Sequence, residues 1–211
     1  DEEQVQLMKR RGGVGHDLSH IRPKGSPVKN SALTSTGLVP FMERYSNSTR
    51  EVAQDGRRGA LMLTVSINHP DSESFIDAKM TEGKVTGANV SVRIDDAFMQ
   101  AVVDDKEYVQ TYPIHSKEPK FTRTIQARQL WDKIIYNAWR SAEPGVLFWD
   151  TIIRESVPDC YAARLSRPTL AVRYLSVRTI VAVCWRSTST ATYAIPLRQR
   201  LRLTLISSVS M

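Results

Sequence analysis

Between Ala60 and Thr151 the sequence alternates strand-like and helix-like patterns at least twice, and nothing else in the chain restricts its fold as much. "ALMLTVSIN" (Ala60–Asn68) is β-rich and largely apolar, as a buried strand requires. "HPDSESFIDAKM" then places Pro70 at a first helical turn, with Asp71 and Glu73 where the helix dipole favours anions. "GANVSVRI" (Gly87–Ile94) sets Val90, Val92 and Ile94 against Ser91 and Arg93, which predicts a half-buried strand. Asp95 is placed to cap the helix "DAFMQAVVDD", with Phe98, Met99, Val102 and Val103 on one side. In "ARQLWDKIIYNAWRSAEPG" the residues Leu130, Trp131, Ile134, Ile135, Ala138 and Trp139 form a broad apolar stripe, and Pro144-Gly145 ends the helix. Trp131, Trp139 and Trp149 are all expected in the core, and "VLFWDTI" reads as the next buried strand. Strands separated by helices imply an α/β fold whose functional loops gather at one end of a sheet or barrel.

The first 60 residues read differently. Turn signals ("RRGGVG", "RPKGSP", "STGLVP", "QDGRRG") surround short apolar pieces, which predicts loops draped over a scaffold and one helix near Leu38–Asn47. Two glycine-bearing loops stand out. "RRGGVGHDLSHIRPKGSPVKNSA" packs three glycines into four positions and adds Arg22, Lys24 and Lys29; successive glycine N–H groups beside cations can hold a phosphate, and a plain turn explains them equally well. "AQDGRRGALM" sets Gln54 and Arg58 on either side of Gly56, where an amide and a guanidinium could read a base or phosphate, or simply form a solvated tip. "HDLSH" spaces His16 and His20 as metal ligands on a helix would be spaced, but no third ligand accompanies them.

The net charge is unevenly distributed along the chain. The formal charge is +7, yet eight of the 29 basic residues follow Cys160 and no acidic residue does, which leaves 21 against 22 before that point. All the basicity therefore belongs to the last quarter. From Arg164 onward Asp, Glu, Lys, Gly, Asn and His are absent. No apolar run approaches the ~18 residues of a spanning helix. The start "DEEQVQLMKRR" is neither a signal nor a transit peptide and reads as an internal beginning in a cytoplasmic protein. Cys160 and Cys184 stand on opposite sides of the compositional break and suggest neither a disulfide framework nor a metal site.

"GGVGHDLSHIRPKGSPVKNSALTSTGLVPFM", "QDGRRGALM", "HPDSESFIDAK" and "ARQLWDKIIYNAWRSAEPGVLFWDTIIRESVPDCY" together resemble the large catalytic subunit of ribonucleotide reductases, most strongly the adenosylcobalamin-dependent class II type. The resemblance covers residues 1–162. It implies part of a ten-stranded α/β barrel, the first half only. In that family the loop matching Ile21-Arg22-Pro23 helps bind a deoxynucleoside triphosphate effector, so Arg22 is an effector-site candidate. The loop matching "AQDGRRGA" bridges effector to substrate, which assigns Gln54 and Arg58 to coupling. Gly12 and Gly13 fall where backbone groups line the ribonucleotide pocket. A thioredoxin-like reductant and a homodimer are implied for the parent, with no membrane and no nucleic acid as partners. A diiron-partnered class shares much of this loop architecture.

Residues 163–211 depart from the resemblance. Relatives continue into a segment of the form "CGEIPLCPYDSCRLLAINLYSY", which carries the radical-forming cysteine. A single base gained or lost near Ala163 makes Ala171–Val177 compatible with Cys-Gly-Glu-Ile-Pro-Leu-Cys, and residues 178–192 with the segment that follows. The tail then reads as out of frame, non-native and poorly ordered. Cys160 matches no catalytic cysteine, Cys184 belongs to the wrong frame, and no catalytic residue is assigned here. The expected function is that of the parent enzyme, reduction of ribonucleotides by thiyl-radical chemistry, with this chain inactive. Two alternatives remain: an inert nucleotide-binding fragment, and a basic nucleic-acid-binding protein resting on the arginine tail.

Overall fold

The computed structural model describes residues 2–10, 12–29, 33–52, 59–81, 83–114, 116, 118–155, 174–175 and 180–183, the last two as backbone. Its frame is a parallel βαβ succession. The helix α1 (Glu2–Lys9) leads into β1 (Gly12–Asp17), α2 (Val39–Glu51) and β2 (Leu61–Ser66). Then come α3 (Ser72–Asp77), β3 (Asn89–Ile94), α4 (Asp96–Val103), β4 (Glu107–Tyr112) and β5 (Phe121–Gln126). The helix α5 (Ala127–Ser141), β6 (Gly145–Phe148) and α6 (Trp149–Glu155) complete this part, and β7 (Tyr174–Leu175) and β8 (Ile180–Val183) follow. The main sheet has the order β6-β3-β2-β1-β8-β7. Within it β1, β2, β3 and β6 run parallel, and β8 pairs antiparallel on β1.

The α/β expectation holds, with several corrections. The segment read as loops contains α1 and the strand β1, which sits inside the sheet. Glycine at three of its six positions hides a strand from any propensity argument, because the neighbours β2 and β8 rather than the residues themselves hold it extended. The helix expected at Leu38–Asn47 is α2, which runs to Glu51. The antiparallel hairpin β4–β5 had no counterpart in the sequence reading. "VLFWDTI" divides: β6 stops at Phe148 and Trp149 begins α6, with Asp150 in its first turn and Arg154 in its last, as the dipole favours. Asp95 does cap α4, its carboxylate accepting from the Phe98 N–H at 2.7 Å.

The tryptophan expectation fails at Trp139, which is 80% exposed. Trp131 and Trp149 are half-buried. The reason is the angular position of α5 on the sheet. Leu130, Ile134 and Asn137 point inward, and Lys133 and Asn137 bind the carboxylate and carbonyl groups of α3. Ile135 and Trp139 are therefore turned away from both the sheet and α3, and Ile135 is 49% exposed.

The tail expected to be poorly ordered lies mostly outside the described residues. The six that are described pair into the sheet through their backbones. An open strand edge offers unpaired N–H and C=O groups that any extended segment can satisfy, so this pairing asks little of the sequence. Residues 163–171 and both cysteines, Cys160 and Cys184, lie outside the described set.

Candidate functional site

Strand register sorts the side chains of the sheet onto two unlike faces. Val14, Leu61, Leu63, Val65, Val90, Val92 and Val146 share the face that carries the helices, where His16 accompanies them. The other face, from the same pairings, presents Gly15, Asp17, Thr64, Ser66, Ser91, Arg93 and Gly145, with Met62 and Leu147 as its apolar members. Parallel sheets normally bury apolar residues on both faces. Small and polar groups on one of them mark it as the working face, and in an α/β barrel the face opposite the helices lines the interior. At Gly145 an added Cβ would come within 2.8 Å of the Ser91 hydroxyl, which would have to rotate away.

One buried ion pair organises the trailing end of this face. Arg93 Nη1 stands 3.0 Å from Asp17 Oδ2, with only 6% and 1% of the side chains exposed. The Ser19 hydroxyl donates to Asp17 at 2.5 Å, accepts from the Ser66 N–H at 2.8 Å, and receives Arg93 Nη2 at 3.4 Å. Trp149 lies beneath the guanidinium, 4.8 Å from it. Burial pulls the Arg93 pKa below its ordinary value and Asp17 opposes that pull. A second polar cluster, Asn68, Asp95 and Tyr108, joins the end of β2 to the cap of α4 and to the hairpin. Burial, then the Asp95 carboxylate, raises the Tyr108 pKa, which keeps the phenol protonated as a donor.

The loops at the strand ends hold the candidates named from sequence. Gly12 and Gly13 open β1. The Ala60 carbonyl accepts from the Val14 N–H at 2.8 Å, which brings the exit of the "AQDGRRGA" loop to the same leading end of the sheet. Gln54 and Arg58 themselves lie outside the described residues. Arg22 is at the opposite, trailing end, in the long connection from β1 to α2. Six residues of strand separate the two ends by roughly 17 Å. Within one chain the structure thus groups Gly12 and Gly13 with the flanks of the "AQDGRRGA" loop, and sets Arg22 apart. The glycine stretch read as a possible phosphate cradle is extended strand from Gly12 to Asp17. His16 and His20 share no helix, because His16 lies in β1, where its Nε2 donates to the Gln4 amide oxygen at 2.8 Å and its ring packs on Tyr45 at 4.4 Å. Among the described residues no three His, Cys, Asp or Glu gather as metal ligands.

Sequence reasoning missed Asp17, Ser19, Arg93 and His69. Arg93 gave no local signal, because the alternation of β3 put it with Ser91 on a side expected to meet solvent, whereas the structure buries that side as well. An open cleft of about 440 Å³ between β5 and α5 is lined by Glu73, Arg123 and Lys133 among others. Its cations are already matched: Arg123 to Glu73 at 2.7 Å, Lys133 to Glu73 at 2.9 Å and to Asp77 at 2.7 Å. The hydrogen bond from Lys133 holds the Glu73 pKa below the usual carboxylate value.

Residues 1–162 match the family described as ribonucleotide reductase, barrel domain. The chain belongs to the ribonucleotide reductase large-subunit family. The vitamin B12-dependent ribonucleoside-diphosphate reductase of Thermoplasma acidophilum is 37% identical over 152 residues, 71% of this chain and 19% of that protein. The enzyme of the same description from Mycobacterium tuberculosis is 33% identical over 152 residues, covering 71% and 22%. The ribonucleoside-diphosphate reductase large subunit of Caenorhabditis elegans is 26% identical over 175 residues, covering 71% and 22%. The reductase chain thus spans about a fifth of the length of these relatives. No helix among the described residues is long and apolar enough to cross a membrane.

Proposed function

We propose that this reductase fragment comes from an enzyme that reduces ribonucleotides to deoxyribonucleotides by thiyl-radical chemistry, and that the chain as it stands does not turn over. The observation that carries the reading is the polar inward face beside two loops matching the family's effector and coupling loops. Gly12 and Gly13, at the leading end, would offer backbone groups to the ribonucleotide. Gln54 and Arg58 would couple substrate to effector, and Arg22 would meet the effector phosphates. Because Arg22 stands at the other end of the sheet, a nucleotide touching both loops is best served by two chains, which supports a homodimer. Allostery then becomes a differential contact made by one loop to two ligands. The complete ten-stranded closure and a thioredoxin-like reductant belong to this reading as properties of the parent.

Adenosylcobalamin is the radical source supported at the family level, through the B12-dependent relatives. The described residues do not fit it. His69 spends both ring nitrogens on Ile21 and Asp71, His16 is engaged by Gln4, and the charged residues lining the cleft beside α5 are paired with one another.

The assay is direct. The purified chain, given ribonucleotide, adenosylcobalamin and a dithiol, is expected to form no deoxyribonucleotide, whereas steady turnover would overturn its inactivity. The out-of-frame reading of residues 163–211 predicts one base gained or lost near codon 163 in the source DNA. Repeated sequencing across codons 155–178 checks it. A confirmed frame would make the tail genuine and return attention to nucleic-acid binding, which should then fall with added salt.

A further inference from the structure

The backbone on both sides of Arg22 is held by side chains from outside its loop. The Tyr112 hydroxyl, on β4, donates to the His20 carbonyl at 2.9 Å. His69 Nε2 lies 2.8 Å from the Ile21 carbonyl, and the Lys24 N–H donates to the Asp71 carboxylate at 2.8 Å. The two inner anchors are themselves joined, since the Asp71 N–H donates to His69 Nδ1 at 3.0 Å. A carbonyl can only accept and an N–H can only donate, so the ring must be the neutral Nε2–H tautomer. Farther along the loop, Gly37 passes so close that a Cβ there would stand 2.6 Å from the same Asp71 oxygen, and its φ of +83° is one that glycine adopts freely. The Arg22 guanidinium, by contrast, is exposed and makes no hydrogen bond or ion pair among the described residues. A fixed backbone thus carries an uncommitted cation.

We infer that His69, Asp71 and Tyr112 are positioning residues for the effector loop: they hold the chain around Arg22 so that its guanidinium meets a nucleotide phosphate already ordered. The inference rests on Arg22 being an effector contact. Its physical basis is preorganisation, because a loop ordered beforehand spends no binding energy on ordering. His69 is the centre of the device. It is fully buried, Tyr112 packs edge-on against it at 5.6 Å, and the charges facing it are Asp71 from its own turn and Asp17 from β1. Burial lowers its pKa below 6.5 and outweighs the Ile21 carbonyl and both carboxylates, which act in the other direction. A histidine with a lowered folded pKa stabilises the fold while neutral. That contribution is complete above the unfolded value and is lost as pH falls through the folded one. Protonation turns Nδ1 into a donor facing the Asp71 N–H, and the link between the anchors breaks.

The experiment is amide exchange in the 211-residue chain, comparing the Lys24 amide with amides of β3. His69→Ala and Asp71→Ala should each speed Lys24 exchange by about tenfold or more relative to β3, the size expected for one lost charge-assisted hydrogen bond. Asp71→Asn keeps an acceptor, and His69→Gln keeps a donor and an acceptor without titrating, so both should recover most of the protection. Tyr112→Phe, which removes only a hydroxyl, should speed exchange around His20 and leave the fold intact. Acidification through the lowered His69 pKa should release the loop in the native chain but not in His69→Gln. Equal acceleration of loop and β3 amides, or failure of the conservative variants to rescue, would reduce the three residues to general stabilisers and overturn the proposal. Titration with dATP separates the two readings. If the anchors behave as stated but the native chain binds no dATP, the effector role of Arg22 is the part that fails. If dATP binds equally well to native chain and His69→Ala, positioning fails and the effector role stands.

Discussion

Replacing Arg93 by methionine is expected to lower the stability of this reductase fragment by about 3–5 kcal/mol, the range found when one partner of a buried ion pair is removed. Methionine fills much of the same volume, so the loss is electrostatic rather than a packing void. Asp17, 1% exposed, would keep only the Ser19 hydroxyl and backbone N–H as partners for a full negative charge. Trp149 would lose the cation above its ring, and its fluorescence should report the change alongside urea unfolding. Asp17→Asn combined with Arg93→Met should recover most of the loss, because a neutral amide costs far less to bury than an unpaired carboxylate. A single-variant loss below about 1 kcal/mol would show that Asp17 reaches water, and that the polar face is open rather than sealed.

Phe75→Ala and Trp139→Ala should differ in the direction opposite to side-chain size. Phe75 is fully buried where α3 packs on β2 and β3, and truncating such a residue leaves a cavity that costs about 3–5 kcal/mol. Trp139 is larger but 80% exposed, and its ring meets Tyr136 at a centroid distance of 6.0 Å, so its removal should cost less than about 0.5 kcal/mol. Parallel thermal melts of the two variants decide the matter. A large loss at Trp139 would mean that something covers the outer flank of α5 in solution.

The sites legible beforehand were those whose signal is local. Asp95 announces a helix start because the cap acts through the next three residues, and Phe98 indeed donates to it. The Arg22 and Gln54–Arg58 loops were assigned through family resemblance alone, and Gln54 and Arg58 lie outside the described residues. His69 was visible only as one of four scattered histidines. Its partners are Ile21, 48 residues earlier, and an edge-on Tyr112 from the hairpin. No window of sequence contains that arrangement.

Periodicity by itself determined the alternation of strands and helices, because burial of one side of each element acts over a few residues and leaves its spacing in the chain. It determined that α5 is amphipathic but not which edge of its apolar stripe is covered. That depended on α3 standing on one flank and binding Lys133 and Asn137. Only the tertiary structure made a strand of Gly12–Asp17, since glycine has no preference to declare and the neighbours β2 and β8 supply the hydrogen bonds. Only the register of parallel strands brought Asp17 and Arg93 together across the intervening β2, turning a charge on the polar side of an alternating strand into the organising pair of the inward face. Local forces are written along the chain, whereas the partner of a buried charge is decided by what the fold brings within reach.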